Sequence, residues 1–146
     1  MNGVKLPHEI VVAVVYVDEH LIELEAVVGA GNWCGRGSAY TVPQDIATFA
    51  VALQRFADGA SAKAEFVAGA DTGIGLIGLR FYRVDRAGHI ACHVRLATGS
   101  LPTDHREEEM FRLSIEVQPE AWGVIQFARQ LGEVARTQTG QASLQV

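Results

Sequence analysis

The chain is poor in the residues that usually announce a chemistry. Of its 146 residues only Cys34 and Cys92 are cysteine, too few for a disulfide framework. With no secretory signal legible at MNGVKLPHE, they read as reduced, partly buried thiols in a cytoplasmic protein. Long apolar runs are absent: the first, Ile10 to Val17, is far shorter than the roughly 20 residues a spanning helix needs, which excludes a membrane role. Positive charge is scarce as well. Lysine and arginine number 12 against 17 aspartates and glutamates, a net charge of −5, and non-specific nucleic-acid binding requires the opposite balance. Disorder is excluded by 49% hydrophobic and 20% charged residues. The length fits one domain over 1–146.

Strand patterning dominates what is present. Ile10 to Val17 is rich in β-branched residues, Asp18-Glu19-His20 is a polar turn, and Leu21 to Val28 alternates around Glu23 and Glu25. The pair predicts an antiparallel hairpin with both glutamates on one face. Gly29 to Gly37 reads as a glycine-rich loop carrying Trp33, and Ser38 to Val42 as a third strand. Pro43 opens a helix with Ile46, Phe49, Ala50 and Leu53 on one stripe. Further strands are expected at Ala62–Ala68, Leu76–Val84, His89–Ala97 and Phe111–Val117, separated by turns and an exposed loop over Thr98–Glu109. Pro119 and Glu120 open a second helix striped by Val124, Phe127, Ala128, Leu131 and Val134; residues 137–146 read as a frayed tail. Valine, proline and Phe-Ala-x-x-Leu recur in order at both helices, with unequal proline-to-phenylalanine spacing. A duplication and convergent strand-to-helix grammar both account for that. Short turns require antiparallel pairing. The expected fold is α+β: a single curved antiparallel sheet of six or seven strands with two helices packed on one face.

The motifs yield no cofactor. Gly73-Ile-Gly75-Leu-Ile-Gly78 spells the dinucleotide fingerprint, but a strand follows where the phosphate-holding helix should begin. His89 and His93 stand about 13 Å apart on one strand face, too far to share a zinc ion, while Cys92 points the other way. No nucleophile motif surrounds any serine or cysteine. This argues for a protein that is not an enzyme and holds neither metal nor cofactor.

The element order, with Gly37-Ser-Ala-Tyr40-Thr-Val42 leading into Phe49-Ala-x-x-Leu53, then Gly88-His-Ile90, and Leu113-Ser-Ile-Glu-Val117 before Phe127-Ala-x-x-Leu131, resembles small bacterial immunity proteins of the WapI type and their relatives. That resemblance spans about residues 10 to 136 and implies a cytoplasmic protein that binds and neutralises a cognate toxin, with no catalytic residues to transfer. The expected contact residues are Glu23 and Glu25 on the hairpin face, Trp33, and the acidic loop residues Asp104, Glu107, Glu108 and Glu109, all suited to a basic partner protein. Two alternatives stand beside this reading. One is an oligomerising module that forms a homodimer along the Leu76–Val84 edge. The other is a small-ligand protein with a pocket between sheet and helices, for which Arg80, Tyr82, His93 and Arg95 are lining candidates.

Overall fold

The computed structural model describes residues 8–70, 75–98 and 106–146. In chain order the elements are β1 (Glu9–Val17), β2 (Ile22–Ala30), β3 (Trp33–Thr41), α1 (Pro43–Ala57), β4 (Lys63–Gly69), β5 (Gly75–Arg83), β6 (Ile90–Thr98), β7 (Phe111–Val117), α2 (Ala121–Thr137) and β8 (Gln141–Gln145). The single sheet expected from the sequence is not formed. There are two four-stranded sheets, ordered β3-β2-β1-β8 and β4-β5-β6-β7, and every pairing in them is antiparallel.

Two features of the chain divide the strands this way. Gly29 to Gly37 is not a loop: only Gly31-Asn32 turns, and β3 begins at Trp33. Its glycines instead let β3 pass close to the second sheet without joining that sheet's ladder. A Cβ on Gly35 would lie 2.6 Å from Cδ2 of Leu113, and one on Gly75 would overlap the Ser38 carbonyl oxygen. The second feature is the C-terminal stretch expected to fray. Gln141–Gln145 pairs with β1, matching Leu144 to Ile10 and Ala142 to Val12, and all four side chains are buried. The alternation that marks it as a strand is short and polar on one face.

The architecture repeats itself. One fixed interval separates the helix starts Pro43 and Ala121, and the same interval carries Ile46 onto Val124, Phe49 onto Phe127, Ala50 onto Ala128, Leu53 onto Leu131 and Phe56 onto Val134, all buried. Counting from the proline hides this match, because Pro43 is the first helical residue and Pro119 precedes its helix. Beyond the helices the interval also aligns Ala64 with Ala142 and Phe66 with Leu144, buried inward-facing residues of β4 and β8. Each half therefore contributes three strands, a helix and a final strand. That final strand is given away: β4 pairs with β5, and β8 returns to β1.

The helices pack on each other and against the strands, sharing one apolar cluster with the inner faces of both sheets. Phe81 lies at the junction, its ring 6.2 Å from Phe49, 6.3 Å from Phe56 and 6.3 Å from Phe127. The space between strands and helices lined by Val12, Leu24, Ile46, Phe49, Phe66, Leu79 and Leu131 leaves a void of only about 10 Å³, so no ligand pocket lies there. β5 has neighbours on both sides, which removes the Leu76–Val84 edge proposed for a homodimer. No helix among the described residues is long and apolar enough to cross a membrane.

Candidate partner-binding surface

The outer face of the first sheet is built by the β1–β2–β3 meander. A register shift between Val14 and Tyr16 turns the end of β1 so that Tyr16, rather than Val15, stands beside Glu23, whose other neighbour is Tyr40 on β3. Such a bulge twists the strand and re-aims side chains. Tyr16 is 54% exposed and Tyr40 42%, large values for residues within strands. The Glu23 carboxylate beside Tyr40 holds the phenol above its usual range. No cation pairs with Glu23 among the described residues.

Asp18 lies in the turn at the end of the same hairpin. Its Oδ1 accepts the backbone N–H groups of His20 and Leu21, both at 2.8 Å, which holds the carboxyl below the usual aspartate range. Glu25 is one step along the outer face from Glu23 and is 3.8 Å from an Arg36 guanidinium nitrogen. Val15, Val17 and Leu21 extend the tip with exposed apolar surface. The two glutamates expected to meet a partner are thus brought together with two tyrosines and an anchored aspartate.

Trp33 is placed elsewhere. Seven residue steps along β3 separate it from Tyr40, about 23 Å of strand, and it shares the inward side with Gly35 rather than the outer face with Arg36. There it projects beyond the core, 68% exposed, near Phe111, which is 74% exposed. Both line a groove of about 500 Å³ with Leu96 and Leu113, and with Arg36 and Arg112 beside them. The interval relating the two halves carries Trp33 onto Phe111, so the groove lies where equivalent strand starts approach one another. Reading Phe111 merely as the start of a strand misses it; its signal is its equivalence to Trp33.

The acidic loop contributes less. Glu107–Glu109 form one 3-10 turn, Glu108 and Glu109 are exposed, and Glu109 is 3.4 Å from Nε of Arg106. Asp104 and the side chain of Glu107 lie outside the described residues. Trp122 is exposed at the start of α2. His89 bonds Asp85 through Nδ1 at 2.7 Å, and His93 bonds the Ser114 hydroxyl through Nε2 at 2.7 Å. Among the described residues no three histidine, cysteine, aspartate or glutamate side chains converge as metal ligands. No family model, no curated protein and no solved structure matches the chain.

Proposed function

We propose that the chain is a non-catalytic protein-binding module whose partner is basic, and that the partner is a cognate bacterial toxin which it neutralises by covering it. The observation that carries the reading is Glu23, unpaired with any described cation and framed by exposed Tyr16 and Tyr40 on the hairpin face. Tyrosines supply large, rigid contact area and are favoured in interfaces. Adjacent carboxylates steer a basic partner and fix its register. The toxin itself is proposed only from the resemblance of the sequence over about residues 10 to 136 to immunity proteins of the WapI type. A specific complex of this kind buries about 1,600 Å² in total, an area that the sheet face and hairpin tip would share with their surroundings.

The test is association with a toxin encoded beside this chain, measured by surface plasmon resonance at low and physiological salt. Glu23→Lys with Glu25→Lys should slow association roughly tenfold at low ionic strength and flatten its salt dependence. Tyr40→Ala should chiefly speed dissociation. Unchanged kinetics in both variants would exclude this face, and absence of any complex would exclude the toxin reading.

A further inference from the structure

The outer face of the second sheet carries a different chemistry. Its cross-strand register sets side chains in rows: Glu65, Arg80, His93 and Glu116 in one, and Val67, Gly78, Arg95 and Ser114 in the next. Gly78 leaves the second row without a side chain. Over that gap is a pocket of about 330 Å³ whose walls include Glu65, Arg80, His93 and Arg95. The size is at the small end of ligand pockets, roughly 300–1,000 Å³, and it suits a metabolite rather than a peptide.

Among the described residues no acceptor engages the guanidinium groups around this gap. Arg95 makes no hydrogen bond or ion pair with a described residue, and its guanidinium lies across Gly78, where a Cβ would stand 3.3 Å from Nη2. Arg80 leans over the Tyr82 ring, 5.4 Å from its centroid, a contact that leaves its hydrogen-bond donors free. As diagonal neighbours on adjacent strands, the two arginines stand about 7–8 Å apart at their Cα atoms, a span one tetrahedral oxyanion can bridge. His93 sits between them and is already oriented by Ser114. Tyr82 engages Glu116, drawing that carboxylate toward its own side. Among the described residues nothing pairs with Glu65, an acceptor on the opposite wall.

We propose that this pocket binds a small organic phosphate, with the phosphoryl group over Gly78 between Arg80 and Arg95 and a hydroxyl or ammonium of the organic part donating to Glu65. Guanidinium forks match phosphate oxygens bidentately. Three donor groups suit the three terminal oxygens of a phosphoryl better than the two of a carboxylate. The unliganded site keeps His93 neutral, through burial first and then through Arg80 and Arg95; Glu65 and Glu116 are the carboxylates on the flanking strands. A bound dianion between the arginines reverses that balance and favours the imidazolium.

Titration with glycerol 3-phosphate, read by the NMR signals of the Gly78 amide and the His93 ring, should give saturable shifts at both, with the imidazole pKa rising on saturation. Arg95→Gln should weaken binding at least about tenfold. Gly78→Val fills the gap with a residue strands accept, and should abolish binding while the circular dichroism spectrum stays that of the parent. Arg86→Gln, in the turn after β5, should change nothing. Inorganic phosphate should bind in the same place but more weakly, and acetate more weakly still. The proposal fails if no shift saturates, if Arg95→Gln and Gly78→Val both bind as the parent does, if Arg86→Gln loses as much, or if acetate equals the ester. None of these readouts involves the protein partner, so either reading can fall without the other.

Discussion

Histidines 89 and 93 sit close in sequence and respond to acid in opposite senses. His93 is held below the ordinary histidine range by burial, with Arg80 and Arg95 adding to it. The unfolded chain therefore binds its proton more readily, and the stability that His93 contributes is full above about pH 6.5 and lost as pH falls below it. His89 is raised by the Asp85 carboxylate, so its contribution is present at low pH and lost as pH rises through that raised value. It is fully exposed and its effect is screened. Urea midpoints of His93→Gln between about pH 5 and 7 should show a flatter acid limb than the parent, whereas His89→Gln should leave that limb in place. The thiols separate just as sharply. Cys34 is exposed and Cys92 buried, and burial pushes the Cys92 thiol far up. One thiol should react with Ellman's reagent in the native protein and two after unfolding. At this scale the inward set of β6 was legible, because period-two alternation places Ile90, Cys92, Val94 and Leu96 on one side. The pairing of Arg80 with His93, or of Glu23 with Tyr40, depends on register across strands, which no local pattern fixes.

At the scale of elements, propensity and periodicity carried the reading where apolar residues were dense. Both helix stripes and the hairpin were legible for that reason, as was β7. β3 and β8 were not. Trp33 to Gly37 resembles a loop because glycine is usually loop material, yet here it permits the close approach of a second sheet. β8 carries only Ala142 and Leu144 inward, too short a signal to stand out from a polar tail. Phe81 shows what the elements achieve together, since it meets two phenylalanines from α1, one at mid-helix and one in the last turn, and one from α2. Phe81→Ala should cost about 3–5 kcal/mol in denaturant unfolding. A loss near 1 kcal/mol would mean that the surrounding aromatics collapse into the space.

For the whole molecule the decisive fact is that each half completes the sheet of the other. Ending the chain after Gly140 removes Ala142 and Leu144 from the core and strips β1 of one partner along Glu9–Ala13. Such a variant should lose its cooperative thermal transition and bind the dye ANS, as expanded states with exposed apolar surface do. An unchanged melt would show that β8 is dispensable. The repeat hinted at by Phe-Ala-x-x-Leu is legible only when counted from the first helical residue, since the linkers before the helices differ while the helices and following strands keep step. Two sheets instead of one follow from β3 and β8, the strands whose local pattern is weakest.

Of the described strands, the first in sequence waits for the last. Until Gln141–Gln145 pairs with it, β1 presents a bare row of backbone donors and acceptors along Glu9–Ala13. Long sequence separation slows such pairing, and open strand borders invite aggregation in the meantime. Translation therefore sets the hour of completion for this protein, and a nascent chain stalled at α2 is the species most in need of a chaperone.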